Sequence, residues 1–391
     1  MNKLIPYGQF FIDKKDIIEV NKSLRGKFIT SGPYVKKLEE LVKKKLNVSH
    51  CISCSSGTAA LHLAFLSLDL KKNDVIIMPI INFIASTNIL NLMNRKIFFA
   101  DVDEFTGQIT PETIKECIKK NKLKKIKVIL TMYLGGSPDN VLEFYKLKKK
   151  YKCYIIEDAC HALGASYKNK NNINYIGSCK HSDICTFSLH PLKSITSGEG
   201  GLITTNNKHL SEKIKLLRSH GFTKKNHWKF NLNMPGLNYR LSDINCALAY
   251  SQLHKLELFI KKREQVAKKY NIYFKKNPET FFVRKLEKKI NSAWHLFLLK
   301  INFRYLNSDV NSLIKHLKKK KIIVQQHYTP IYNFDYYNNI KKKNFLNAQK
   351  YYETTISLPI FYKLNNKNLK RIFNEIKIFL LRKTKIKMNF R

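Results

Sequence analysis

Two stretches decide how this chain is read: Tyr154-Ile155-Ile156-Glu157-Asp158-Ala159-Cys160-His161 and Ile184-Cys185-Thr186-Phe187-Ser188-Leu189-His190-Pro191-Leu192-Lys193. The second leads into Ser197-Gly198-Glu199-Gly200-Gly201. In each, a short apolar run of strand length stops at a residue that can do chemistry. The run Tyr154–Glu157 delivers the carboxylate of Asp158. The run Ile184–Ser188 delivers the Ser188 hydroxyl and, a turn later, the amine of Lys193. If the pleat continues through Glu157, its side chain points away from that of Asp158. Lys193 is one of very many lysines, but it follows a strand and precedes a glycine-rich turn, outside any lysine run.

Working outward, strand-length apolar runs recur at Val75–Ile80, Ile97–Asp101, Val128–Tyr133 and Gly201–Thr205. Helical patterns separate them at Ser56–Ser67, Asn88–Met93, Pro111–Lys119 and Pro138–Lys150. This alternation predicts an α/β fold with a mostly parallel sheet wrapped by helices. Such sheets collect ligands at the carboxyl ends of their strands, where Asp158 and Ser188 fall. The pattern changes after Tyr239-Arg240-Leu241-Ser242. Leu241–Tyr273 reads as one long helix, with Ser242 as N-cap and Asp243 in its first turn. Beyond it, strands at Trp294–Ile301 and Ile322–His327 mix with helices at Asp309–Lys318, Leu346–Thr355 and Lys367–Lys385. The expected division is a large domain over residues 1–246, with an N-terminal arm, and a smaller α+β domain over residues 247–391. The last residues, Arg382–Arg391, are expected to fray.

Composition narrows the class. With 391 residues, 44% hydrophobic and 12% aromatic, the chain can bury a large core and is not disordered. No apolar stretch reaches bilayer length, and Met1-Asn2-Lys3-Leu4-Ile5-Pro6 opens no signal-peptide core. A cytoplasmic protein without a membrane partner is therefore expected. Eight cysteines are scattered along the chain, and the lone C-x-x-C of Cys51 and Cys54 lacks the second pair a zinc site needs. No metal is expected, and the thiols read as reduced and packed. Lys+Arg 72 against Asp+Glu 28 gives a formal charge of +44. That balance would suit a non-enzymatic nucleic-acid-binding protein, which is the alternative from another class. The lysines, however, are spread over the whole chain, as at Lys43-Lys44-Lys45 and Lys148-Lys149-Lys150, and no interleaved aromatic platform accompanies them. They read as a solvated surface whose positive field favours small anionic substrates.

The remaining chemistry gathers around the two opening stretches. Ser55-Ser56-Gly57-Thr58-Ala59-Ala60-Leu61 follows a short strand and opens an apolar helix, so its backbone amides and small hydroxyls can cradle a phosphate. Asp158 can face a protonated ring nitrogen, and Lys193 can form a Schiff base with an aldehyde. Ser188 can donate to a phosphate, Phe83 can stack on a ring, and His161 can hydrogen-bond beside it. Each has a plainer reading taken alone: a helix cap for Ser56 or Asp158, a core residue for Phe83. Together, an amine, a carboxylate and a phosphate cradle suit pyridoxal 5'-phosphate.

These segments, with Phe83-Ile84-Ala85-Ser86-Thr87-Asn88, Glu157 through Ala165, Arg218-Ser219-His220-Gly221 and Gly236-Leu237-Asn238-Tyr239-Arg240-Leu241-Ser242, cover nearly the whole chain in order. They resemble the DegT/DnrJ/EryC1/StrS sugar aminotransferases, within fold type I of the pyridoxal-phosphate enzymes. The resemblance implies the Schiff-base role for Lys193 and the pyridine-nitrogen partner for Asp158. It places His161 near the cofactor's ring oxygen, Gly57, Thr58 and Ser188 at phosphate or cofactor contacts, and Phe83 against the ring. Asn238 matches a residue that reaches the neighbouring subunit's site, which implies a homodimer with shared active sites. Some relatives act as dehydratases and carry histidine where this chain has Lys193, so transamination is implied here. Within the family, Lys27-Phe28-Ile29-Thr30, Lys224-Lys225 and Val324 through Tyr332 resemble the aminotransferases of pseudaminic acid synthesis. That likeness implies substrate contacts at Tyr7, Lys27, Phe28, Ile29, Thr30, Asn238, Gln325, Gln326, His327 and Tyr328. It also implies L-glutamate as amino donor and a UDP-linked 2-acetamido-2,6-dideoxy-4-hexulose of the β-L-arabino series as acceptor. Aminotransferases for other nucleotide sugars, of the perosamine or aminoarabinose type, share some of these segments and stay as alternatives.

Overall fold

The computed structural model describes residues 3–226 and 228–383. Two helices, Lys14–Leu24 (α1) and Pro33–Leu46 (α2), precede the first strand, His50–Cys54 (β1). Helix and strand then alternate: Gly57–Ser67 (α3), Ile76–Pro79 (β2), Ala85–Leu92 (α4), Ile97–Ala100 (β3), Pro111–Lys120 (α5), Val128–Met132 (β4), Val141–Tyr151 (α6) and Tyr154–Asp158 (β5). A hairpin, Ser166–Asn169 (β6) with Asn172–Tyr175 (β7), leads to Ile184–Ser188 (β8), Gly201–Thr205 (β9) and Lys208–Arg218 (α7). The main sheet has the order β1-β9-β8-β5-β4-β2-β3. The strands from β8 to β3 are mutually parallel, and β9 runs against both β8 and β1. Its strands are continuous apolar runs because helices cover both faces, and the pleat shares them out. Ile129 and Ile155 enter one core, while Leu130 and Ile156 enter the core on the other face.

An exposed ribbon, Phe222–Lys224 (β10) and Phe230–Leu232 (β11), precedes Asp243–Leu253 (α8) and Leu256–Phe274 (α9). The rest comprises Phe281–Phe282 (β12), Ile290–Asn291 (β13), Phe297–Ile301 (β14), Val310–Lys319 (α10), Leu346–Thr354 (α11), Thr355–Leu358 (β15) and Asn366–Lys383 (α12). Strands β12, β14 and β15 form a small antiparallel sheet, and β13 joins the edge of the β6–β7 hairpin. The second core contains Tyr270, Phe274, Leu299, Ile356 and Ile376, and it takes in Ile5 of the N-terminal arm. Helix α8 packs on α1 and α2. Phe259 of α9 packs in a core with Leu38 and Val42 of α2 and Leu253 of α8, whereas Val266, Tyr270 and Phe274 belong to the core of the small sheet, so the change of core falls within α9.

Three expectations need correcting. Leu241–Tyr273 is two helices, not one. The chain breaks at His254-Lys255, where the Lys255 ammonium is drawn to Asp13 at 2.9 Å and Asp16 at 2.6 Å at the start of α1. Both helices bury the same apolar stripe, so the periodicity runs through the break. Ile322–His327 forms no strand; Ile322 bridges to Ile5 and Gln325 to Ser357, two different partners that stop a ladder from growing. The run from Trp294 starts as a tight turn and becomes a strand only at Phe297. Ser242 does cap α8, its Oγ accepting from the Asn245 N–H at 3.1 Å. Arg382 and Lys383 close α12, and the rest of the expected fray lies outside the described residues. Among the described residues no helix is long and apolar enough to cross a membrane.

Candidate active site

Strand register brings the opening stretches together. Met132 pairs with Asp158, Asp158 with Thr186, and Ser188 with Gly201, so three strand ends meet at one edge of the sheet. There they line a cavity of about 420 Å³ together with Lys193 and the start of α3. Ser56 caps that helix, its Oγ accepting from the Ala59 N–H at 3.0 Å. The fit is close enough to demand glycine on both sides. A Cβ on Gly57 would lie 2.8 Å from Ser188 Cβ, and one on Gly201 would lie 2.2 Å from the Ser56 carbonyl oxygen. The first-turn amides of Gly57 and Thr58 are of the kind a helix leaves unpaired, and the helix dipole adds positive potential there. Ser188 Oγ accepts from the His190 N–H at 3.3 Å, which leaves its own proton to donate.

Asp158 and Lys193 line the same cavity. Asp158 accepts from the Cys160 N–H at 3.2 Å. Burial pushes its carboxyl pKa up, against the pull of the Cys160 hydrogen bonds and the Lys193 charge. Burial also draws the Lys193 amine down, opposed by Cys160 and Asp158. Each group would gain from an oppositely charged or hydrogen-bonding ligand between them. Glu157 faces the other way, as the pleat requires: Tyr133 Oη donates to it at 2.7 Å, and burial raises its carboxyl pKa.

His161 accepts at Nδ1 from the Gly135 N–H at 3.3 Å, and its Nε2 lies 2.9 Å from Tyr328 Oη. Burial, with Lys193 and His327 nearby, holds its pKa well below the ordinary value. A neutral imidazole that accepts at Nδ1 carries its proton at Nε2, so His161 donates toward Tyr328. His327 Nδ1 lies 2.7 Å from Ser357 Oγ, and burial, helped by the Lys193 charge, brings its pKa down to about 3. Tyr7 lines the cavity with its ring 5.7 Å from that of His327. Phe83 stands half-exposed at the mouth, 5.7 Å from the Tyr328 ring.

The structure thus gathers Tyr7, Gly57, Thr58, Phe83, Asp158, His161, Ser188, Lys193, His327 and Tyr328 around one cavity. Seven expected residues lie outside it. Lys27, Phe28, Ile29 and Thr30 are exposed ahead of α2, tied to α8 by the Asp243 N–H donating to the Ile29 carbonyl at 3.0 Å. Asn238 is exposed and bridged to Ser219. Gln325 is engaged with Ser357, and Gln326 Nε2 donates to the Tyr352 carbonyl at 2.6 Å. Sequence reasoning did not assign Ser56, Cys160, His190, Glu199 or His295, which also line the cavity. The first four stand inside the stretches that carry the site; nothing in the sequence around His295 pointed to it. All eight cysteines are free, and every one except Cys160 is buried. Among the described residues, no three His, Cys, Asp or Glu side chains are grouped to hold a metal ion. A phosphate cradle, a carboxylate and an amine at one cavity are the donor set that pyridoxal phosphate requires, and these residues fit it.

The site and fold define a fold-type-I aminotransferase. Residues 11–377 match the model of the DegT/DnrJ/EryC1/StrS aminotransferase family, and the chain belongs to that family. It is 36% identical over 368 residues to a UDP-4-amino-4,6-dideoxy-N-acetyl-β-L-altrosamine transaminase of Campylobacter jejuni, covering 94% of this chain and 95% of that protein. It is 35% identical over 377 residues to an uncharacterised protein of Methanocaldococcus jannaschii, MJ1066, with 94% and 95% covered. Among solved structures it is similar to Helicobacter pylori PseC, an aminotransferase involved in the biosynthesis of pseudaminic acid. That match has a TM-score of 0.88 at 30% identity, over 97% of this chain and 100% of that one.

Proposed function

We propose that this sugar aminotransferase moves an amino group from L-glutamate to C4 of a UDP-linked 4-keto-6-deoxy-N-acetylhexosamine, in the route to pseudaminic acid. The observation that carries the reading is Asp158 and Lys193 on the walls of one cavity beside the start of α3. The C. jejuni relative's name as an altrosamine transaminase supports the substrate class. When bound, pyridoxal phosphate supplies an electron-withdrawing ring that acidifies the carbon bearing the amine. The amides of Gly57 and Thr58, with Ser188 Oγ–H, hold the phosphate. Asp158 holds a proton on the ring nitrogen, and a cation seated there favours its ionised form. With the cofactor bound, His161 would turn its Nε2 proton from Tyr328 to the ring oxygen, and Phe83 would shield the ring at the cavity mouth. Lys193 Nζ, with its basicity lowered by burial, takes the proton from the α-carbon of glutamate. In the second half-reaction it delivers a proton to C4 of the sugar.

We assign Lys27–Thr30 and Asn238 to the site of a second copy. They are exposed and absent from their own cavity, and apolar side chains stand exposed near them in sequence: Phe28, Ile29, Phe222, Phe230 and Leu232. A twofold dimer would cover such a surface and could carry these residues to the partner's cavity. Light scattering tests the dimer. Mixing a Lys193→Ala chain with an Asn238→Ala chain should restore part of the activity that each lacks alone.

The reaction is tested by mass spectrometry of products from glutamate and a panel of nucleotide 4-keto sugars, including precursors of perosamine and aminoarabinose. Amination of the UDP-4-keto-6-deoxy-N-acetylhexosamine, lost in Lys193→Ala, is expected. Preference for another sugar would overturn the substrate. Full activity in Lys193→Ala would overturn the site. Tight, salt-sensitive binding to random duplex without cofactor absorbance would favour nucleic-acid binding instead.

A further inference from the structure

His295 belongs to none of the sequence motifs that point to the cofactor, yet it lines the cavity and is only 6% exposed. Its ring lies against that of His161, with centroids 4.2 Å apart and planes at 37°. The backbone around it is fixed from several sides. Ala293 N–H donates to the Gly136 carbonyl at 2.9 Å and Leu296 N–H to the Gly135 carbonyl at 3.3 Å. Trp294 N–H donates to Ser292 Oγ at 3.0 Å, and Arg263 Nη1 to the His295 carbonyl at 3.2 Å. Trp294 itself sits at φ 48°, a left-handed conformation that a bulky side chain rarely adopts. The same Gly135-Gly136 turn donates the N–H that His161 accepts at Nδ1. A Cβ on Gly136 would lie 2.5 Å from the His161 carbonyl oxygen and 3.2 Å from the His295 backbone nitrogen. One glycine turn therefore holds the His161 imidazole and the backbone that carries His295.

The His295 ring gets nothing comparable from its own polar atoms. Its Nδ1 is buried without a hydrogen-bond partner among the described residues. A buried ring nitrogen left unpaired marks a placement that polar contacts do not explain. What the placement does achieve is cover for His161. We propose that His295 is a positioning residue: packed against His161, it keeps water from that imidazole and so holds it as a neutral Nε2–H donor to the cavity. The inference rests on the cavity holding pyridoxal phosphate.

Every charged or titratable group around His161 enters the balance. Asp158 ends β5 just before it, Cys160 is its chain neighbour, Lys193 follows β8, His327 and Tyr328 face it across the cavity, and Arg263 of α9 donates to the His295 carbonyl. The Lys193 charge and His327 oppose a proton on His161, and the Arg263 guanidinium opposes one on His295. Removing the His295 ring would admit water, restore the hydration that a charged imidazole needs, and return His161 toward its ordinary range. A second proton, on Nδ1, would abolish the acceptor that the Gly135 N–H now uses.

The test is a spectrophotometric pH titration of pyridoxal phosphate bound to the full-length chain, from about pH 8 to about pH 5.5. His295→Phe keeps a flat ring without nitrogens and should titrate as the unaltered chain does. His295→Ala should gain a further one-proton transition with a midpoint near the ordinary histidine value of about 6.5. Adding His161→Gln to His295→Ala should remove that transition. If His295→Ala does not fold, His295→Val, which retains volume but no ring, is read in the same way. A merely structural His295 would lower yield or stability without creating a titration that depends on His161. The proposal is overturned if the ring-less variant shows no new transition, if the transition survives His161→Gln, or if His295→Phe also acquires it. Failure of the unaltered chain to bind pyridoxal phosphate at any pH would instead sink the cofactor reading, and this inference with it.

Discussion

Replacing Gly57 by alanine separates the role of the α3 start in the fold from its role as an anion site. The added Cβ would lie 2.8 Å from Ser188 Cβ, 3.1 Å from Ser188 Oγ and 3.2 Å from Ser188 Cα. Carbon atoms in contact settle at roughly 3.5–4.0 Å, so about 0.7 Å must open between the helix and the strand. Ser188 cannot give way easily, because β8 is paired with both β5 and β9. The first turn of α3 must therefore move. Overpacking of this size costs about 1–3 kcal/mol, offset in part by up to roughly 1 kcal/mol of helix propensity gained on losing glycine. Net destabilisation should thus be small, about 0–2 kcal/mol by urea unfolding. Affinity should suffer more, since the displaced amides are those of Gly57 and Thr58. Two charge-assisted hydrogen bonds, each contributing about 1.5–3 kcal/mol, become misaligned. If half of that is lost, the Kd for pyridoxal phosphate rises roughly tenfold to a hundredfold, as measured by absorbance titration. A folded Gly57→Ala protein whose affinity stayed within about threefold would refute the argument, and the phosphate would have to lie elsewhere.

Other outcomes follow from the same geometry. Asp158→Asn keeps the side-chain volume but removes the charge proposed to face the ring nitrogen; kcat should fall at least about a thousandfold, an effect of about 4 kcal/mol, while cofactor stays bound. Ser242→Ala removes the cap of α8 and should cost about 1 kcal/mol in urea unfolding with little change in activity per folded molecule. Gly221 sits at φ 75° with the Met234 carbonyl oxygen only 1.7 Å from where a Cβ would be, so Gly221→Ala should disorder the β10–β11 ribbon and, with it, the proposed delivery of Asn238 to a second copy. It is checked by the loss of mixed-dimer complementation. His327, whose folded pKa of about 3 lies below the unfolded value, is bare of a proton in the fold and protonated in the unfolded chain across that window. Stability should fall as pH drops from about 6.5, and His327→Asn should lessen the slope near pH 5 by about 1.4 kcal/mol per pH unit; equal slopes in urea unfolding would exclude it.

How much of this was legible in the sequence depended on how local its cause is. Strands β4, β5 and β8 could be read because burial on both faces makes each a continuous apolar run. Asp158, Ser188 and Gly57 could be read because they stand where such runs end or a helix begins. The break between α8 and α9 could not, since it answers to Asp13 and Asp16 more than two hundred positions earlier in the chain. The segment Ile322–His327 has the composition of a strand but divides its pairing between Ile5 and Ser357, and composition does not report partners. His295 was invisible for a similar reason. Its meaning lies in a tilted ring contact with His161 across the fold, and a lone histidine before an apolar strand has no pattern of its own.

The one reversed strand explains why the amine sits where it does. Had β9 run parallel to β8, the chain would have left the ligand-binding edge through a crossover helix and re-entered from the far end. Because β9 is antiparallel, the chain turns back within Leu189–Gly200 and stays at that edge. The return is tied at several points: Leu189 N–H to the Gly200 carbonyl at 2.8 Å, Ser197 N–H to the Leu189 carbonyl at 3.0 Å, and Thr196 Oγ1 to the same carbonyl at 3.1 Å. Lys193 is thus carried by a loop whose two ends are sheet positions, Ser188 opposite Gly201. A one-residue slip in that pairing would turn Ser188 to the other face and set a side chain against the Ser56 carbonyl where only Gly201 fits. The register that buries the core is therefore the same register that places the amine, the hydroxyl and the helix start around one cavity.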